Sequence, residues 1–129
     1  NSYNIDTQDL NWRVKLFDRC GTSGSAITLG KNLIFANGSS WDIDNNDGED
    51  CLCAVNLDGS IKWRVKLEKR GYNTFAHTTD DGELLVSGTC EGGWFAFSVA
   101  DGSLVSQWHP KYDAPSFSTA GPTTGPGGR

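Results

Sequence analysis

The pattern of apolar and polar positions along the chain contains a repeat. The pentapeptide WRVKL occupies residues 12–16 and returns unchanged at residues 63–67. In each copy Trp, Val and Leu alternate with Arg and Lys, which is the period of a half-buried β-strand. A third, partial copy ends at Trp108. The sequence therefore predicts successive units of one kind rather than a single irregular domain.

Short apolar runs between turn signals predict four strands in each unit. The predicted strands cover residues 11–17, 25–29, 33–36 and 51–57 in the first unit, and 61–67, 72–78, 84–87 and 93–99 in the second. Asp58-Gly59 and Asp101-Gly102 are typical of tight hairpin turns. Four short antiparallel strands in each unit form one blade-like sheet. The fold class we predict is all-β.

The predicted organisation has three parts. Residues 1–10 form an N-terminal arm, residues 11–109 a β-repeat domain, and residues 110–129 a tail rich in Pro, Gly, Ser and Thr. The domain divides into a blade at 11–60, a blade at 61–102 and a partial blade at 103–109. The residues expected to face the core between blades are Trp12, Val14, Leu16, Trp63, Val65, Leu67 and Trp108.

The repeat resembles that of the PQQ-like, quinoprotein-type β-propellers. The resemblance is carried by residues 32–36, 53–63, 84–88 and 95–103, which include the run LDGSIKW at 57–63. It implies propeller blades, which in that family usually close a ring of seven or eight. Two full blades and part of a third leave apolar faces open, so we expect completion by oligomerisation or by a larger propeller of which this chain is a fragment.

The resemblance does not extend to the quinone site. Family members that bind the quinone commonly carry two adjacent cysteines, whereas Leu52 separates Cys51 from Cys53 in this chain. We therefore do not transfer quinone binding or dehydrogenase activity to it.

Composition and charge narrow the class of protein. A net charge of −5 argues against a nucleic-acid partner, which needs a basic face to release counterions. Five Trp residues argue against disorder of the whole chain. The chain contains no run of about 18 apolar residues, so the sequence predicts no membrane span. The chain starts at Asn1 and contains no Met, so we expect a processed or excised polypeptide.

Four cysteines predict two disulfides and an oxidising, extracellular compartment. They are Cys20, Cys51, Cys53 and Cys90. Cys51 and Cys53 are two apart on a predicted strand, near the upper distance for a bridge, so each is expected to pair with one of the other two. A zinc site is the alternative, but the one-residue gap does not have the usual ligand spacing.

The loop at 41–50 is the densest cluster of oxygen ligands. Five carboxylates and two carboxamides occupy these ten positions. The candidate calcium ligands are Asp42, Asp44, Asn46 and Asp47, because hard oxygen donors in a short loop suit that cation. The alternative is a solvated hairpin tip, since Asp, Asn and Gly favour turns without any metal. We predict no other cofactor.

Two segments carry candidate glycosylation sites. Asn37-Gly38-Ser39 is an acceptor sequence for an N-linked glycan, although an Asn-Gly turn explains it equally well. Candidate O-linked sites in the tail are Ser116, Ser118, Thr119, Thr123 and Thr124. We expect this extended tail to lie against another copy of the chain.

No residue pattern predicts catalysis, because neither His77 nor His109 has a nucleophile or carboxylate at a catalytic spacing. The first interpretation is a non-enzymatic, secreted structural module. It would self-assemble as a homo-oligomer or homopolymer through its β-repeat faces and termini, as in an extracellular filament. The alternatives are a propeller-type module that binds glycan or protein through exposed aromatic residues, and a fragment of a quinoprotein-like enzyme.

Overall fold

The computed structural model describes residues 1–16, 27–38, 51–67, 75–89 and 92–109, together with the single positions 111, 122 and 125. Within these ranges the regular elements are all β-strands, so the predicted all-β class is confirmed. The strands are β1 (Ser2–Tyr3), β2 (Leu10–Trp12), β3 (Ile27–Leu29), β4 (Leu33–Gly38), β5 (Cys51–Asn56), β6 (Ile61–Lys66), β7 (Ala76–Thr78), β8 (Leu84–Gly88), β9 (Trp94–Ser98) and β10 (Leu104–Trp108).

The strands form three antiparallel sheets. β1 and β2 make a two-stranded N-terminal hairpin. The first sheet has the order β3-β4-β5-β6, and the second has the order β7-β8-β9-β10. Each strand of a four-stranded sheet pairs with its neighbour in sequence, which is a simple meander.

The boundaries of the sheets lie one strand later in the chain than the boundaries of the sequence repeat. The strand expected to open the second blade, β6, pairs with β5 and ends the first sheet; Trp63 lies opposite Ala54. In the same way, β10 pairs with β9 and ends the second sheet. The physical reason is the tight turn before each of these strands, because a turn of a few residues forces the two strands that it joins to pair. The strands that carry Trp63 and Trp108 are thus the last of their sheets.

The core lies between the two four-stranded sheets. Its buried members from the first sheet and the residue after it are Leu33, Phe35, Leu52, Ala54, Trp63 and Leu67, and those from the second sheet are Ala76, Leu85, Phe95 and Phe97. The rings of Phe35 and Trp63 pack at a centroid distance of 6.0 Å. The hydroxyl of Thr28 on β3 donates to the carbonyl oxygen of Ala76 on β7 at 2.5 Å. The sheets therefore stack face to face.

Candidate functional site

A tryptophan of the first sheet lies on a turn of the second. The indole N–H of Trp63 donates to the carbonyl oxygen of Val99 at 3.0 Å. Its ring covers Gly102 so closely that a Cβ atom on this glycine would lie 2.8 Å from it. Gly102 also has a φ of +77°, a backbone conformation that favours glycine. We call the glycine and the carbonyl together the Gly102 seat.

The same arrangement holds the N-terminal hairpin on the first sheet. The indole N–H of Trp12 donates to the carbonyl oxygen of Leu57 at 2.8 Å. A Cβ atom on Gly59 would lie 2.7 Å from the ring of Trp12, and the φ of Gly59 is +90°. This is the Gly59 seat. Two tryptophans at equivalent repeat positions are therefore bound by two turns of the same chemistry.

Aspartates shape the turns that contain the seats. The carboxylate of Asp58 accepts hydrogen bonds from the hydroxyl and the backbone N–H of Ser60, at 2.6 and 2.9 Å. These bonds lower the pKa of Asp58. The carboxylate of Asp101 accepts from the backbone N–H and the hydroxyl of Ser103, at 3.0 and 2.8 Å, and its pKa is lowered for that reason. Both turns are thus fixed by the ionised form of their aspartate.

A third aspartate has the same role in the turn between β7 and β8. Asp81 accepts from the hydroxyl of Thr79 at 2.5 Å and from the backbone N–H of Glu83 at 3.0 Å, and both bonds lower its pKa. Because the pKa is lower in the folded protein than in the unfolded chain, the bonds stabilise the fold above the usual value of 3.8. That stabilisation is lost as the pH falls through the lower value of the folded protein.

We expect the urea midpoint of the protein to decrease below about pH 4. A triple replacement of Asp58, Asp81 and Asp101 by asparagine should flatten this decrease, because asparagine cannot gain the proton. The control is Asp80→Asn, since the carboxylate of Asp80 accepts no hydrogen bond from a described residue and lies beside Asp81 in the same turn. Parallel acid profiles for the triple variant and the wild type would contradict this assignment.

The third tryptophan of the repeat, Trp108, has no seat among the described residues. Its side chain is 57% exposed, whereas that of Trp63 is 8% exposed. Trp108 pairs in register with Trp94. The face of the second sheet that points away from the first sheet carries Leu84, Val86, Trp94, Ala96 and Trp108, together with the polar residues His77, Ser98 and Ser106. We call this surface the open face.

The open face uses the same repeat positions as the buried face of the first sheet. Phe35 and Ala54 of the first sheet are covered by the second sheet and are at most 1% exposed. Their equivalents on the open face, Val86 and Ala96, are only half-buried. The second sheet therefore presents, partly uncovered, the surface that the first sheet buries.

No protein-family model matches the chain, and no curated protein matches it. Among the described residues there is no helix long and apolar enough to cross a membrane. The same residues contain no group of three or more His, Cys, Asp or Glu side chains that could hold a metal ion.

Several predicted site residues lie outside the described residues. They are the candidate calcium ligands Asp42, Asp44, Asn46 and Asp47, the cysteines Cys20 and Cys90, and the tail positions Ser116, Ser118, Thr119, Thr123 and Thr124. Cys51 and Cys53 are buried in β5. The pairing of the cysteines, the calcium site and the O-linked glycans remain predictions.

Asn37, the predicted site of an N-linked glycan, is buried. It lies in β4 opposite Leu52, and its side chain is 2% exposed. A glycan extends from the side-chain amide into solvent, so its attachment requires Asn37 to be more exposed than it is here; the N-linked glycan stays a prediction. The alternative, a turn at Asn37-Gly38, is not formed, because both residues belong to β4. The acceptor sequence is here part of a buried strand.

The residues predicted to face the core fall into three environments. Trp63 and Leu67 are buried in the core and Val65 packs against it. Trp12, Val14 and Leu16 are half-buried. Trp108 is exposed, because the described residues provide no further sheet for it to face. The sequence analysis found these tryptophans but missed Gly59 and Gly102 as their seats; the recurrence of Asp-Gly with each tryptophan was the available signal.

Proposed function

We propose that this chain is a non-enzymatic structural module that associates with further copies of itself through its sheet faces. Its four-stranded sheets act as blades of the propeller type suggested by the PQQ-like repeat. The support is the stacking of two four-stranded meanders with a tryptophan of one bound to a turn of the next. The number of blades in the complete particle follows from how many copies join.

One observation carries this proposal: the open face is mostly apolar and partly uncovered, while the equivalent face of the first sheet is buried. Trp108, which lies on this face in the edge strand β10, is 57% exposed. Contiguous apolar surface of this kind marks an interaction site. Among the described strands β10 pairs with β9 alone, so its outer edge adds backbone groups that can bond to another chain.

The proposed location is extracellular, supported by the even number of cysteines in a short chain. Association through unlike faces of identical copies makes a ring when the rotation between neighbours closes, and a filament when it does not. Both outcomes use the same interface. The proposed partner is therefore another copy of the chain, without nucleic acid or membrane.

Light scattering coupled to size exclusion tests the proposal. We expect the purified chain to elute with a mass above the 14.0 kDa of one copy, and to shift to higher mass as the concentration rises. Electron microscopy of the same sample separates rings from filaments. A single species of monomer mass up to the solubility limit would overturn the proposal.

A further inference from the structure

The described residues contain three tryptophans of the repeat and two seats. Trp12 occupies the Gly59 seat and Trp63 the Gly102 seat. Trp108, which ends the second sheet as Trp63 ends the first, has no seat within the described residues. By the relation of Trp63 to the second sheet, a seat for Trp108 would lie on a further sheet that stacks on the open face.

The first sheet of a second copy has the right surface for this position. The face of the first sheet that points away from the core carries Ala36 and Val55, which are 7% and 1% exposed, so part of the chain already covers this face. Ala36 and Val55 correspond in the repeat to Ser87 and Phe97, which lie on the face that the second sheet packs against the first. Once that cover moves aside, a second copy could place its first sheet on the open face in the way that the second sheet lies on the first within one chain.

The Gly59 seat would then lie where Trp108 needs it. Gly59 and Gly102 both have positive φ, and in each case a carbonyl oxygen of the same turn accepts the indole N–H. Because the relation of β6 to the second sheet is repeated by β10, the indole of Trp108 would approach the Gly59 seat as Trp63 approaches the Gly102 seat. The obstacle is Trp12, which fills the Gly59 seat in the free chain.

Within the hairpin that carries Trp12, most residues other than Trp12 are exposed, whereas Val14 and Leu16 after it are half-buried. The hairpin's apolar side chains Tyr3, Ile5 and Leu10 are exposed, and Ile5 is 92% exposed. The hydrogen bond of Trp12 to Leu57 is itself at an exposed position. Displacing the hairpin uncovers Ala36 and Val55, and the open face of the other copy would cover them again while its own half-buried residues become buried.

We propose that Trp108 of one copy binds the Gly59 seat of a second copy and displaces Trp12, which acts as an exchangeable cap. This inference rests on the proposed self-association and names its interface. Trp12 and Trp108 then compete for one seat, so their removal has opposite effects. The fraction of chains with an open seat sets the apparent affinity between copies.

Single replacements of the two tryptophans test the competition. Trp108→Ala should leave the chain monomeric at concentrations where the wild type associates. Trp12→Ala opens the seat and should lower the concentration needed for association about tenfold or more. The double variant Trp12→Ala/Trp108→Ala should behave as Trp108→Ala does. Sedimentation velocity measures all four proteins, and near-ultraviolet circular dichroism verifies that each is folded.

A mixing experiment tests which surfaces meet. Gly59→Ala blocks the seat but keeps Trp108, while Trp108→Ala keeps the seat but has no indole to donate. Each alone should be monomeric, and the mixture should form complexes of two copies and no larger ones. Gly82→Ala serves as the control for a methyl group at positive φ, since nothing lies within 4 Å of its Cβ position.

The results separate this inference from the proposed function. If Trp108→Ala associates as the wild type does, the inference is overturned while self-association stands. Dimers of Gly59→Ala alone would also overturn it, because they would show a symmetric contact. If the wild type is monomeric but Trp12→Ala associates only when Trp108 is present, the seat exchange is supported and the proposed function of the wild type fails. If Gly59→Ala does not fold, the tryptophan variants still decide the question.

Discussion

Replacing Trp63 with alanine should lower the free energy of unfolding by about 3–5 kcal/mol, the usual cost of removing a large aromatic side chain from a core. Trp63 is 8% exposed and packs against Phe35 from within the core between the sheets. Its loss also leaves the carbonyl oxygen of Val99 without the indole N–H. The replacement therefore weakens the junction of the two sheets as well as their packing.

The other two tryptophans of the repeat are matched controls for Trp63. Trp108→Ala should cost less than about 1 kcal/mol in the monomer, because its side chain is mostly exposed. Trp12→Ala should fall between the two, since Trp12 is half-buried but has the same seat contact. Urea denaturation at a concentration below that of association measures all three. Similar losses at Trp63 and Trp108 would contradict the assigned environments.

The sequence alone was sufficient to predict the strands of the two four-stranded sheets, because alternation of apolar and polar residues and turn chemistry are local properties. It did not predict β1, which lies in the expected N-terminal arm. It could not predict how the strands are grouped. The pentapeptide at 63–67 marks the start of a repeat in the sequence but the end of a sheet in the structure. The hairpin turn at Asp58-Gly59 indicated the correct grouping of the strands, since such a turn joins two strands of one sheet.

The seats could be predicted only in part. Asp-Gly before a strand with tryptophan was visible in the sequence, and it was interpreted as a turn signal. The contact of Trp63 is with Gly102 of the following unit, not with Gly59 of the turn just before it. This choice depends on the direction in which one sheet stacks on the next, which no local pattern contains.

Burial also affects how the acceptor sequence at Asn37 could be used. The triplet is a local signal, but its use requires an accessible side chain, and β4 is central in the first sheet. The need for partners stays a prediction, made because two units of a repeat leave apolar faces open. The structure adds which face is open and which tryptophan marks it.

Gly102→Ala should be the second most damaging replacement, lowering the free energy of unfolding by roughly 2–5 kcal/mol. A left-handed backbone costs an L-residue about 1–2 kcal/mol. The new methyl group would also lie 2.8 Å from the ring of Trp63 and 3.0 Å from Val65, and crowding of this kind in a core costs about 1–3 kcal/mol. Trp63 would have to leave the seat or distort the turn.

Gly82→Ala isolates the backbone contribution to this loss. Gly82 has a φ of +75°, close to the +77° of Gly102, but nothing lies within 4 Å of a Cβ atom placed on it. The loss at Gly82 should therefore be about 1–2 kcal/mol, the left-handed backbone cost alone. Equal losses at the two glycines would mean that the ring of Trp63 does not press on Gly102.

A double-mutant cycle between Gly102→Ala and Trp63→Ala measures the interaction free energy of the two residues directly. In the absence of the indole, the methyl group on Gly102 meets no ring, so its cost should fall toward that of Gly82→Ala. The two replacements should then be less destabilising together than the sum of each alone, because both remove the same contact. Simple additivity would show that the seat does not couple the sheets, and the case for the equivalent seat at Gly59 would lose its intrachain precedent.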